Sequence, residues 1–151
     1  SAIRESDVAR QLPSDVEVRN QASDFAGELP VGRLLPHWKN GQRYLYGGSS
    51  VGLRDALVYV REGDWSQAIA LWQKEFEQKS AKRQKAAAYN LSVGYEMQDQ
   101  LEESLRWIAR AIKLAKPEST EQLMMSLYEQ ELQQRLNGLQ RLQIQTRRLN
   151  E

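Results

Sequence analysis

His37 is the only histidine in 151 residues, and there is no cysteine. A lone imidazole cannot assemble a multi-histidine metal site, and a hydrolytic triad would need a serine and a carboxylate delivered to it from unknown positions. Between Pro36 and Trp38 it reads as a hydrogen-bonded residue of a packed loop. The missing cysteines remove disulfides, thiolate metal ligands and cysteine nucleophiles together, and leave the redox compartment open. Gly47-Gly48-Ser49-Ser50 precedes a helix start, where backbone amides can hold an anion. It lacks the lysine and the spacing of a phosphate-binding loop and therefore reads as a turn. The carboxylate pairs Glu102-Glu103 and Glu129-Glu131 fall on helical patterns among basic residues, as on solvated helix faces. No catalytic residue, no cofactor and no metal ligand is expected. A ligand-binding or enzymatic protein remains the alternative, with a pocket between the N-terminal segment and the helices and with Arg33, His37, Trp38, Arg43 and Tyr44 at its rim.

The bulk composition narrows the classes further. The chain carries 21 basic and 20 acidic residues, for a net charge of +1. No broad field gathers nucleic acid or an anionic surface, so no nucleic-acid partner is expected. Apolar runs such as Leu57-Val58-Tyr59-Val60 are far shorter than the roughly 20 residues that cross a bilayer, so no transmembrane segment is expected. The opening Ser1-Ala2-Ile3-Arg4 has neither an initiator methionine nor a leader pattern, as expected of a processed chain or a piece of a longer one.

These residues must be positioned by elements whose boundaries the sequence marks clearly after residue 50. Before it, Pro13, Pro30 and Pro36 and five glycines interrupt any long pattern. Val18, Ala22, Phe25, Ala26 and Leu29 predict a helix over about 16–29, ended by Pro30. Arg43-Tyr44-Leu45-Tyr46 alternates like a strand, but without an evident partner it reads as a loop packed on the first hairpin. Ser49 or Ser50 caps a helix to about Glu62, where Gly63 supplies the left-handed exit. Further helices are predicted over about 65–78, 81–97 and 101–115. Pro117 stops the fourth, and a fifth runs from about Ser119 to Leu149. The expected organisation is an irregular, partly helical segment over 1–49, two helical hairpins over 50–117 and a long helix over 118–151, forming one all-α structural domain.

The hairpins are written twice. Gly63-Asp64-Trp65 is answered 36 residues later by Asp99-Gln100-Leu101, and Ala56, Tyr59, Ala68 and Trp72 by Ser92, Tyr95, Ser104 and Ile108. Small residues fall where two helices approach closely, and large ones where a helix plugs the gap to its neighbour. Trp65, Trp72 and Trp107 belong to that buried side. With Tyr89-Asn90-Leu91, Gly94-Tyr95, Trp107, Ala111 and Pro117, this register resembles the tetratricopeptide repeat. It departs at Glu75, where a small alanine is usual, and at Ser80, where no proline closes the unit.

That resemblance implies paired antiparallel helices and a partner-binding concave face, with Leu53, Leu57, Arg61, Tyr89, Asn90, Val93 and Met97 as candidates. Capture of a C-terminal carboxylate is disfavoured, because Tyr89 and Val93 stand where that clamp wants lysine and asparagine. Equally, residues 1–50 or the last helix would cover this apolar face.

A second resemblance is broader. Leu35-Pro36-His37-Trp38, Arg43-Tyr44, Asp55-Ala56, Gly63-Asp64-Trp65, Ala68 and Trp72 resemble the C-terminal half of an unassigned group of Bacteroidetes-type lipoproteins. It implies a preceding domain, a lipid anchor outside this chain, and location in the cell envelope of a Gram-negative bacterium, at the periplasm or a membrane surface. The expected role is a noncatalytic interaction or assembly module with an unidentified protein or peptide as partner. Met125, Tyr128, Leu132 and Leu136 line one side of the last helix and cap the stack, since two hairpins leave an apolar end. Beyond Gly138 the leftover residues Leu139, Leu142, Ile144 and Leu149 have no evident partner in the chain, which suggests a homo-oligomer through this helix, an antiparallel crossing or a site for another protein.

Overall fold

Serine and aspartate side chains set the starts of four of the five helices in the computed structural model, which describes Val16–Asn20, Arg43–Gly47 and residues 50–150. Ser50 accepts a hydrogen bond from the Leu53 amide at 3.1 Å and opens α1, Val51–Arg61. Asp64 accepts from Gln67 and opens α2, Trp65–Phe76. Ser80 accepts from Arg83 and opens α3, Ala81–Met97. Ser119 accepts from Gln122 and opens α5, Thr120–Leu149. Each bond satisfies an amide that the first helical turn cannot. Only α4, Leu101–Leu114, starts without one, at Gln100.

The α1–α2 and α3–α4 turns are built alike. Gly63 and Asp99, 36 residues apart, both hold positive φ, at 77° and 60°. In the first turn the Asp64 amide reaches the Tyr59 carbonyl at 2.8 Å, and in the second the Gln100 amide reaches the Tyr95 carbonyl at 2.9 Å. Tyr59 and Tyr95 are both half-buried against the core. Glycine adopts the left-handed conformation freely, and aspartate tolerates it better than most residues.

Successive helices pack on one another from α1 to α5, and the fold is all-α. Ala56, Ala68, Ser92 and Ser104 are fully buried at the crossings, and Trp72 and Ile108 fill the spaces between. Ser92 and Ser104 do more than stay small. Each hydroxyl donates to the other residue's carbonyl, at 2.8 and 2.7 Å, which ties α3 to α4 while satisfying both buried groups. At Gly94 an added Cβ would stand 2.9 Å from Ile69 and 3.1 Å from Trp72, so α3 approaches α2 at a distance only glycine permits.

Glu75, the departure from the repeat pattern, has its own accommodation. Gly52 on α1 leaves the space, since a Cβ there would lie 2.8 Å from the Glu75 carboxylate. Arg83 binds that carboxylate with two nitrogens at 2.7 and 3.0 Å, and the Ser50 hydroxyl donates to it at 2.5 Å. The small residue has moved from one helix to the facing one.

Before residue 50 the sequence reading is corrected. Val16–Asn20 is a strand, β1, and not the start of a helix; Arg43–Gly47 is a strand, β2, and not a loop. They pair in parallel, Val16 opposite Arg43 through Asn20 opposite Gly47. Helical spacing of five apolar residues could not anticipate that two distant five-residue segments would supply each other's hydrogen bonds. The remainder of the predicted helix lies outside the described residues.

Candidate functional site

β2 lies on α3 and α1, over the face that carries Leu53, Leu57, Tyr89, Asn90 and Val93. Asn90 is the fastener. Its side-chain amide donates to the Tyr46 carbonyl and accepts from the Tyr46 amide, both at 2.8 Å, so one side chain satisfies the strand backbone as a neighbouring strand would. The Tyr46 ring meets Tyr89 edge-on at 5.5 Å. Leu53, Leu57, Tyr89, Asn90 and Val93 are accordingly buried, while Arg61 and Met97 are half-buried. Of the pocket rim expected from sequence, Arg33, His37 and Trp38 lie outside the described residues, and Arg43 and Tyr44 are buried.

Glu96 on α3 is the centre of a buried ionic cluster. It has no solvent exposure. Its carboxylate accepts from Arg43 Nε at 3.2 Å, from the Tyr128 hydroxyl at 2.5 Å and from Arg135. Arg43 also reaches Glu131 at 2.6 Å and lies 4.5 Å from the centre of the Tyr128 ring. β2, α3 and α5 are thus clasped through one carboxylate.

The electrostatics follow from that geometry. Burial alone would lower the Arg43 pKa, but Glu96, Tyr128 and Glu131 outweigh it and hold the guanidinium more firmly charged than usual. Burial, followed by the Glu96 charge, pushes the Tyr128 hydroxyl well above its ordinary value, so it stays a donor. A second pair lies alongside, where Glu121 accepts from the Tyr46 hydroxyl and binds Lys85 Nζ at 2.9 Å. Arginine, with its planar fork, suits the buried branching position better than lysine would.

Neither Glu96 nor Glu121 belongs to a recognisable motif. Glu96 did carry a signal: it stands three residues after Val93 and seven after Tyr89, an acid on an apolar helix face, which demands a buried cation. Nothing local indicated that Arg43, 53 positions away, supplies it.

The other feature is open to solvent. A cleft of about 420 Å³ lies between the start of α4 and the second half of α5, lined by Asp99, Glu102, Glu103, Leu136, Leu139 and Gln143 among others. Its length follows from the helices. At about 1.5 Å per residue, the 14 residues of α4 span roughly 21 Å and the 30 of α5 roughly 45 Å. α5 therefore outruns its neighbour. Leu132 is the last fully buried side chain, Leu136 is half-buried, and 141–150 are exposed throughout. Of the pair Glu102-Glu103, Glu102 is exposed, and Glu103 pairs with Arg106.

Among the described residues no group of three or more histidine, cysteine, aspartate or glutamate side chains could hold a metal, and no helix is long and apolar enough to cross a membrane. A family model described as a domain of unknown function, DUF6340, matches residues 54–134, which is more than half of the chain. No curated protein and no solved structure matches it.

Proposed function

The chain belongs to the DUF6340 family, whose description carries no activity, and from that premise we propose that it is a noncatalytic protein–protein interaction or assembly module. The stack is tetratricopeptide-like in the proposed reading, supported by the paired left-handed turns at Gly63 and Asp99 and by the buried small residues at equivalent crossings. The central ionisable groups support a structural role. Glu96, Arg43, Tyr128 and Arg135 direct their hydrogen bonds at one another, and the clasp holds β2 over the face where a tetratricopeptide domain would take a peptide.

The observation that carries the reading is the overhang of α5, where Leu139, Leu142, Ile144 and Leu149 stand 47 to 86% exposed. Leu139, Leu142 and Leu149 fall on one side of the helix at spacings of three and seven residues, and an exposed apolar stripe of that kind marks a contact surface. The setting proposed is the cell envelope of a Gram-negative bacterium, within a longer, lipid-anchored protein, and it rests on the lipoprotein resemblance of the sequence.

A photo-crosslinking residue placed at Leu142 or Leu149 of the full-length protein in its native cells tests the proposal. Discrete protein adducts are expected there and not from Val58, which is comparably exposed on α1 at 48%. Adducts equal from all three positions, or none from the overhang, would refute it.

A further inference from the structure

From the way the helices hold β2 we infer, independently of what the overhang binds, that α3 and α5 form a preformed receptor for an extended peptide of the pattern arginine–aromatic–leucine–aromatic. β2 is then a releasable ligand that the chain supplies to itself. The receptor's buried acids do not need the strand. Glu96 already has Arg135 and the Tyr128 hydroxyl, and Glu121 already has Lys85 at 2.9 Å, all from the helices. Arg43 and the Tyr46 hydroxyl join these two carboxylates as added donors. A buried acid whose counter-ion belongs to the same stack stays paired when the strand leaves, so the large cost of an uncompensated charge does not arise. The helices themselves follow one another after residue 50, each packed on the next.

The grip on β2 uses backbone, charge and shape together. Tyr44 and Tyr46 are two positions apart, so their backbone groups leave the strand on one edge. On that edge a backbone hydrogen bond joins Tyr44 to the Tyr89 hydroxyl, and Asn90 takes both backbone groups of Tyr46 at 2.8 Å. Arg43 is fixed by Glu96, by Glu131 at 2.6 Å and by the Tyr128 ring at 4.5 Å, a planar arrangement that lysine would not reproduce. Tyr44, Leu45 and Tyr46 are at most 3% exposed. Only residues 48–50 join β2 to α1, and so short a tether keeps the ligand at roughly millimolar effective concentration. The receptor is therefore closed to other peptides while the tether is whole, and the link between β2 and α1 is the point of control.

A protease recognition sequence inserted between Gly48 and Ser49 of the full chain tests this. After cleavage the piece carrying β1 and β2 is expected to stay bound, and an excess of a fluorescent peptide of residues 41–49 should replace it with a saturable rise in anisotropy. The uncut chain should bind that peptide about a hundredfold or more weakly. A peptide carrying Arg43→Lys should lose about tenfold or more in affinity for the cut protein. Hydrogen exchange of the unmodified chain is the second measurement. The Tyr46 amide, held by Asn90, should exchange through an opening that leaves α3 and α4 protected. Helices that unfold once the cut piece is removed, a cut protein that takes no peptide, or equal binding to cut and uncut chains would overturn the inference. So would equal affinity for the arginine and lysine peptides, or a Tyr46 amide that exchanges only with global unfolding. If the insertion itself lowers the melting temperature of the uncut chain, the exchange result decides.

Discussion

Removal of the Glu96 carboxylate by Glu96→Ala strips three donors of an acceptor at once. Tyr128 loses a 2.5 Å bond and Arg135 its ion pair, while Arg43 keeps Glu131 at 2.6 Å. Breaking a buried pair by deleting one partner costs about 3 to 5 kcal/mol. Arg43 retains one anion and Arg135, 12% exposed, can turn toward water, which places the expected loss near about 3 kcal/mol. For a domain of this size each kcal/mol lowers the melting temperature by roughly 2 to 4 °C, so a drop of about 6 to 12 °C is expected. Urea unfolding and circular-dichroism melts at neutral pH measure it. Glu131→Ala, at a position 18% exposed, should cost less than Glu96→Ala, where the carboxylate is fully buried. Arg43→Met combined with Glu96→Leu should cost at least about 1.5 kcal/mol less than the two single changes summed. A Glu96→Ala loss below about 1 kcal/mol, or additivity in the cycle, would show that the clasp does not hold β2 to the helices.

Three other predictions concern packing and pH. Ser92→Leu and Ala68→Leu overfill helix crossings where both residues are fully buried; each should destabilise by about 1 to 3 kcal/mol in urea unfolding. Gly94→Ala should cost a comparable amount, since its Cβ would meet Ile69 at 2.9 Å, whereas Gly138→Ala, with nothing within 4 Å, should stabilise the helix by about 0.5 to 1 kcal/mol. Arg83 above all, opposed by burial and aided by Ser50, lowers the Glu75 pKa below its ordinary 4.5. Its stabilisation is therefore complete above pH 4.5 and fades as pH falls through the lowered value. Wild-type stability should drop more steeply than that of Glu75→Gln below pH 4.5, and parallel pH profiles would contradict this.

Helix caps and turns were legible in the chain because they are local. Ser50 caps the amide three residues ahead, Gly63 ends a helix within one turn, and Pro117 blocks a continuation whatever lies elsewhere. The same holds for the doubled register of Ala56 with Ser92 and Ala68 with Ser104, since a period of 36 needs no coordinates to be seen. Glu96 was only half legible: its place on an apolar face announced a buried acid without naming the base. The strands were not legible because a strand is defined by its partner, and 22 residues separate Asn20 from Arg43.

The sequence by itself determined where five helices begin and end and that the last would outrun its neighbour, because propensity, capping and periodicity act within a few residues. Only the tertiary structure decided that β2 packs on α1 and α3, that Asn90 serves as its surrogate strand and that Arg43, Glu96, Tyr128 and Arg135 converge. Those contacts join residues 32 to 53 positions apart. Their favourable energy exists only once the chain has closed those loops and excluded water, and no spacing along the sequence records that.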